Sequence, residues 1–554
     1  MIRTSSFKRS EDGNIAMLFG LTLPLFLLFA GGAVDFSRHN AVRADLIESL
    51  DAAGLAIAQL DAANGPEIRS LTEAERTEYL KDFGRDFFDE NFSHDGIVED
   101  LEVDFDIDNL TITPRASGRL KTLLLGVADR VFQGSSAFTY ISIDSDTQIT
   151  RAASGDTEVA LILDTTGSMA SDNRIEDLKA AAKEFVDVLI REDQTDFYSK
   201  VAIVPYGGSV KVGSHALAAR GPIAAPKSIT AINKNSRVTI TAPDHGFTDG
   251  AFVRISGVNG MTQVNNTGEN VYVVRNATAN TFQIRHVNES SGASTGSWVD
   301  SSGWSTYTNG GSIYCTTPGC QYNFFLSDSG DDWRLFQITD CVSERTGVDA
   351  YTDQSVAASK VGRVYARLDN PYVCPPSEVA GLTSDKEDLN DTIDDLAANG
   401  NTGGHIGIAW GWYTVSPNFS DLFPGDSAPA AYDNDEVAKS VVIMTDGEYN
   451  SSYCNGVVSQ TSTSGSGGSS DKINCDAPNG HSYDQALALC DAMKDQGIVV
   501  YTVGFKIVDS VNARNMMRQC ATSPAHEYLA EDGAALKRHF AAIAQAISQL
   551  HVSR

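Results

Sequence analysis

Residues 159–169, VALILDTTGSM, decide the fold. Five apolar residues, Val159 to Leu163, follow one another without a polar break. That is the pattern of a strand buried on both faces, and hence of a parallel sheet. The run stops at Asp164, and residues 164–173 form a polar loop around Gly167. Ile175, Leu178, Ala182, Phe185 and Leu189 then recur at helical spacing. Strand, polar loop and helix in this order are the opening unit of a doubly wound α/β sheet.

Further along the chain, the apolar runs 201–204, 441–444 and 498–503 predict more strands of the same sheet. Residues 483–495, 511–520 and 533–550 read as its later helices. The pattern breaks between residues 227 and 311, which are rich in Thr, Asn, Gly and Val and have no helical period. Turn signals recur there at Asp249-Gly250, Asn259-Gly260 and Thr267-Gly268. This segment reads as an inserted all-β module. Residues 461–470, TSTSGSGGSS, have the composition of a flexible loop.

Towards the N-terminus, residues 15–34 carry no charge and match the roughly 20 residues a bilayer-spanning helix needs. Arg3, Lys8 and Arg9 precede them, which keeps the N-terminus cytoplasmic and exports the rest. A cleaved signal peptide has a shorter apolar core, of about 7–15 residues. The expected organisation is therefore a cytoplasmic tip, membrane helix and amphipathic extension over 1–60, and a juxtamembrane α+β module over 61–153. The α/β domain follows over 154–226 and 312–554, with the β insertion at 227–311.

Composition limits the partners. Asp and Glu number 72 against 42 Lys and Arg, a net charge of −30. So acidic a chain repels phosphate backbones, which argues against nucleic acid. Its eight cysteines, Cys315, Cys320, Cys341, Cys374, Cys454, Cys475, Cys490 and Cys520, are an even count in an exported region and suit disulfides. Spacing alone leaves their connectivity open, with Cys315–Cys320, Cys341–Cys374 and Cys454–Cys475 among the pairings considered. No second CxxC supports a zinc site.

The loop Asp164-Thr165-Thr166-Gly167-Ser168 resembles the metal ion-dependent adhesion site of von Willebrand factor A-type domains, whose first loop reads Asp-x-Ser-x-Ser. Thr166 replaces the first Ser and keeps its hydroxyl. The resemblance implies a third hydroxyl from a second loop and an Asp after the fourth strand. Residues 401–417, NTGGHIGIAWGWYTVSP, offer Thr402, and residues 439–450, KSVVIMTDGEYN, offer Asp446. The implied ligands, Asp164, Thr166, Ser168, Thr402 and Asp446, are all oxygen donors. They suit Mg²⁺ first, with Mn²⁺ or Ca²⁺ as alternatives. Hydroxyls outnumber carboxylates, so the bound ion could still accept an acidic residue from a protein partner. Trp410, Trp412 and Tyr413 read as core packing beneath the Thr402 loop.

Residues 13–58 resemble the N-terminal segment of TadE/TadG-like proteins of the Tad (Flp) pilus assembly system. The matching elements are Gly13, Ile15 and Ala16, the apolar span, the exit Ala33-Val34-Asp35 with Arg38, and Asp51 to Ala53. Leu18 stands where pilin-like relatives carry Glu. Residues 489–505 and 516–521 resemble the C-terminal part of Tad-associated A-domain proteins, which implies a Cys490–Cys520 pair. Residues 245–266 and 276–284 resemble the first catalytic-cysteine half-domain of ubiquitin-activating enzymes, a small barrel grafted here for adhesion or spacing.

Together these readings predict a single-pass inner-membrane protein with its bulk in the periplasm or at the outer surface. Its role would be cation-dependent binding in pilus assembly or anchoring, through Tad pilus components. A surface adhesin using the β insertion is the first alternative. A metal-dependent hydrolase is the second, and the residues disfavour it. A haloacid dehalogenase-like phosphatase needs an Asp where Thr166 stands, no phosphate-binding Gly-x-x-x-x-Gly-Lys loop follows the strand, and Ser168 lacks a His partner. His245, His405 and His481 read as surface loop residues. The chain is expected not to be an enzyme.

Overall fold

The computed structural model describes residues 12–549, apart from 64–67, 69–70, 72, 108–110, 127–138, 147–148, 151–154, 192–193, 196, 288–295, 331, 369–371, 435 and 509. The chain divides into two units, residues 1–154 with 549–554, and residues 155–548.

The first unit is built on a long N-terminal helix, Asp12–Ala63. The predicted span 15–34 falls within it. Among the described residues no helix is long and apolar enough to cross a membrane. The side chains of residues 15–18, 21 and 24–28 lie outside the described set, as do Arg3, Lys8 and Arg9. The later half of the helix buries Val42, Leu46, Leu50, Ala53 and Ile57, a one-turn spacing that lines a single face. This face packs with Leu80 and Phe88 of the helix Glu73–Asn91 and with Phe105, Ile112 and Leu120 of an antiparallel sheet. The sheet comprises Val98–Ile107, Thr111–Lys121, Tyr140–Asp146 and Ile149–Thr150. The Asp35 carboxylate, 1% exposed, accepts the backbone N–H groups of Leu123 (2.8 Å), Leu124 (3.0 Å) and Leu125 (2.7 Å). Burial works against its charge, but the three amides outweigh it and hold the carboxyl below its usual range.

The second unit is organised by a six-stranded sheet: β1 Asp156–Asp164, β2 Ser199–Tyr206, β3 Ala380–Thr383, β4 Val437–Thr445, β5 Val499–Phe505 and β6 Glu527–Ala530. The spatial order is β3-β2-β1-β4-β5-β6. All neighbours are parallel except β3, which runs antiparallel to β2 at the edge. The central strands are buried along almost their whole length, which is why they read as unbroken apolar runs. The helices are α1 Arg174–Leu189, α2 Lys386–Asp394, α3 Gly404–Val415, α4 Ser482–Asp495, α5 Val511–Cys520 and α6 Gly533–Gln549. Every residue of α3 is buried. It lies against the sheet because Gly407 and Gly411 leave room: a Cβ there would stand 2.6 Å from the Tyr206 ring and 2.2 Å from Ile162 respectively.

Between β2 and β3 the chain makes two further sheets. Seven short antiparallel strands, from Lys227–Ser228 to Asn309–Cys315, close around Ile240, Val253, Ile255, Phe282, Ile284 and Ile313. Their entry and exit strands pair with each other, Lys227 opposite Ile313, and just below them Ala224 N donates to Gly319 O at 2.9 Å. Tyr322–Leu326, Trp333–Ser343 and Gly362–Arg367, joined by Val210–Lys211, make a separate antiparallel sheet. These strands lie within the expected α/β spans 154–226 and 312–554 but, among the described residues, add none to the central sheet.

Residues 461–470 are exposed at 463–465 and 467–469 and tied down at a few points. Ser462 and Ser466 are buried, Thr463 N donates to Asn450 O at 3.0 Å, and Lys472 Nζ donates to Ser462 O at 2.9 Å. The cysteines form the disulfides Cys315–Cys320, Cys341–Cys374, Cys454–Cys475 and Cys490–Cys520.

Candidate metal centre

The strand order reverses between β1 and β4, and in open α/β sheets the crevice beyond the carboxyl ends at such a point is where ligands bind. Asp164 is the last residue of β1, and Asp446 directly follows β4. The order of the sheet therefore sets two acids, far apart in sequence, side by side.

Hydrogen bonds join four of the five expected ligands into one cluster. Thr166 N donates to Asp164 Oδ1 at 2.9 Å, turning the loop back over the strand end. Thr166 Oγ1 and Ser168 Oγ lie 3.0 Å apart, and Ser168 Oγ donates to Asp446 Oδ1 at 2.6 Å. Asp164 Oδ2 accepts from Thr445 Oγ1 at 2.7 Å and from Tyr206 OH at 3.2 Å. Asp164, Thr165 and Thr166 are almost wholly inaccessible and Asp446 is 5% exposed. Burial first, and the Asp446 charge second, push the Asp164 carboxyl up to about 6.

The fifth expected ligand, Thr402, sits on a loop clasped to the first. Gly167 N donates to Gly400 O and Asn399 N to Thr165 O, both at 2.8 Å. Thr402 N donates to Asn450 Oδ1, and Asn450 N returns a bond to Thr402 O, each at 2.9 Å. Among the described residues no hydrogen bond joins the Thr402 hydroxyl to the other four side chains.

Two participants escaped the sequence reading. Arg174, at the start of α1, donates from Nη1 to Asp446 Oδ2 at 2.8 Å. Asn173 before it takes a left-handed conformation, φ 60°, which Asn tolerates, and turns the chain into the helix. Asn450 is the second, since its side chain fixes the Thr402 loop. A polar residue four positions after Asp446 was its only sequence signal.

The donors are carboxylates and hydroxyls, a hard oxygen set that fits a divalent cation such as Mg²⁺. Among the described residues the one cluster of acidic, thiol or imidazole groups close enough to share an ion is Asp340, Cys341 and Cys374, whose two cysteines are joined as a disulfide. His245 and His405 are buried rather than at the surface, whereas His481 is exposed. Trp410, Trp412 and Tyr413 are core residues, at most 2% exposed.

Residues 13–59 match the family model described as putative Flp pilus-assembly TadE/G-like. That segment is similar to TadE/G-like pilus-assembly proteins. Beyond this TadE/G-like segment, residues 233–316 match the ubiquitin-activating enzyme E1 FCCH domain model. No curated protein matches the chain. Similar solved structures include the pilus adhesin SpaC from Lactobacillus rhamnosus GG, at 11% identity over 81% of this chain and 34% of that one, with a TM-score of 0.29. The vWF domain of the type V pili tip protein Mfa5 from Porphyromonas gingivalis is similar at 10% identity over 73% and 99%, TM-score 0.32. Proximal thread matrix protein 1 from the mussel byssus, with a zinc-occupied MIDAS motif, is similar at 10% identity over 72% and 48%, TM-score 0.27. The chain thus spans about a third of the SpaC structure's length. The strand order, not these likenesses, carries the fold.

Proposed function

We propose that the chain is a membrane-anchored, divalent-cation-dependent binding component of Flp pilus assembly or anchoring. The observation that carries this reading is the junction of Asp164, Thr166, Ser168 and Asp446 at the reversal point of the sheet. These four residues would hold the ion, with Thr402 on the adjoining loop as a fifth donor. Five donors would leave one position of an octahedral ion such as Mg²⁺ open to an incoming Glu or Asp of a protein partner, and Arg174 offsets part of the Asp446 charge. The TadE/G-like segment supports the pilus setting. The uncharged run 15–34 supports an inner-membrane anchor with the bulk of the chain in the periplasm.

Binding rather than catalysis is favoured by the fate of Ser168. Its hydroxyl donates to a carboxylate that is itself paired with Arg174, and no histidine contacts it among the described residues. It therefore lacks the base a nucleophile needs.

Thermal unfolding of the chain titrated with Mg²⁺, Mn²⁺ and Ca²⁺, beside Asp164→Ala, tests the site. An ion at a hundred times its dissociation constant stabilises by about 2.7 kcal/mol. The wild type should gain stability and the variant should not. Equal gains in both would refute the site.

A further inference from the structure

Two leucines in the first unit are exposed beside the apolar run of the N-terminal helix. Leu123 is 59% exposed and Leu124 is 48% exposed. A Cβ added at Gly31 would stand 2.8 Å from Leu124 Cβ, and one at Gly32 would stand 3.6 Å from Leu125 Cδ2. The loop thus rests on the two glycines that close the apolar run, one helical turn before Asp35. On the same stretch Phe29, Val34 and Phe36 are more than half exposed. These side chains flank the loop on different sides of the helix, so this stretch is apolar around its circumference, which a water-facing surface rarely is.

The polar groups around the patch are arranged to suit it. A loop entering an apolar medium must leave no backbone N–H unpaired. Here the N–H groups of Leu123, Leu124 and Leu125 all end on the Asp35 carboxylate. Immediately beyond, Arg38 Nη1 donates to Lys121 O at 2.9 Å, while the exposed Lys121 ammonium pairs with Glu99 at 3.6 Å. Apolar tips with satisfied amides, and a long basic side chain one turn beyond them, fit a membrane interface.

We propose that the Leu123–Leu124 loop inserts into the lipid bilayer beside the N-terminal helix, seating the first unit on the membrane surface as a second, shallow anchor. The occupant of the patch is lipid, because the patch is continuous with the uncharged run 15–34. This inference rests on the membrane-anchor part of the proposed function.

All eight native cysteines are paired, so a new cysteine is the sole free thiol. Leu123→Cys, Phe29→Cys and Val348→Cys would each be labelled with the fluorophore NBD. The full chain would then be reconstituted into vesicles of phosphatidylethanolamine and phosphatidylglycerol. Quenching by shallow doxyl-labelled lipid and by aqueous iodide is compared. Val348, 95% exposed in the other unit, reports water. The expected result is lipid quenching at 29 and 123, severalfold stronger than at 348, with iodide quenching dominant only at 348. Lipid quenching at 29 with iodide quenching at 123 overturns the loop anchor and leaves the helix anchor standing. Iodide quenching at both positions removes both. Shielding of 123 from either quencher would mean that a protein surface covers the patch, and would also overturn the proposal.

Discussion

Arg174 Nη1 donates to Asp446 Oδ2 across 2.8 Å, so a fixed cation already holds one oxygen of the acid that follows β4. The other oxygen accepts from Ser168. An incoming divalent ion must therefore share Asp446 with a guanidinium. Arg174→Gln should raise Mg²⁺ affinity severalfold and lower metal-free stability by about 1.5–3 kcal/mol, the worth of a hydrogen bond to a charged group. Calorimetric titration and thermal unfolding read the two effects separately. Unchanged affinity would mean that Arg174 does not compete.

The Asp164 carboxyl, pushed up to about 6, gives the site a pH dependence of defined sign. An acid whose folded value lies above its unfolded one stabilises the fold at low pH. That contribution is lost as pH rises from about 4 through about 6. A bound cation reverses the penalty by favouring the charged form. The stabilisation due to Mg²⁺ should therefore be larger at pH 7.5 than at pH 5. Melting curves with and without Mg²⁺ at both values check this, and a larger shift at pH 5 would contradict it.

Asn450 acts through Thr402 and would not touch the ion. Asn450→Ala removes the acceptor of Thr402 N and should cost about 1–3 kcal/mol. It should also weaken Mg²⁺ binding several-fold if Thr402 is a donor. A stability loss with unaltered affinity would leave Thr402 outside the coordination set.

Asp35→Ala leaves three backbone amides without their acceptor. The expected cost is about 2–4 kcal/mol, confined to the first unit. Hydrogen exchange should quicken at Leu123, Leu124 and Leu125. Unchanged protection there would show that the carboxylate does not hold the loop.

The disulfide Cys490–Cys520 joins α4 to α5 across 30 residues. Replacing both cysteines by Ser should cost about 3–4 kcal/mol by the loop-closure argument. Denaturant unfolding of the second unit is the measurement.

Much of the α/β sheet was legible because buried parallel strands announce themselves as unbroken apolar runs, and the polar break after each marks its carboxyl end. Asp164 and Asp446 were readable on that ground. Arg174 was not, since its partner lies 272 positions away and nothing local marks the pairing. Within residues 461–470, composition marked a loop but not where it is tied down. Here the hydroxyls of Ser452, Ser459 and Ser462 bond one another in a buried cluster that no linear pattern displays. His405 misled, as a polar residue amid glycines that turned out to lie on a fully buried helix.

The paired entry and exit strands of the seven-stranded sheet have a consequence for how this chain can change over time. Lys227 and Ile313 face each other across one strand spacing, about 4.8 Å, so the module departs and returns through a single doorway. Whatever is spliced there needs only its own ends close together. The β2-to-β3 connection is thus a socket, into which evolution or an engineer could fit an unrelated module without rethreading the sheet that carries Asp164.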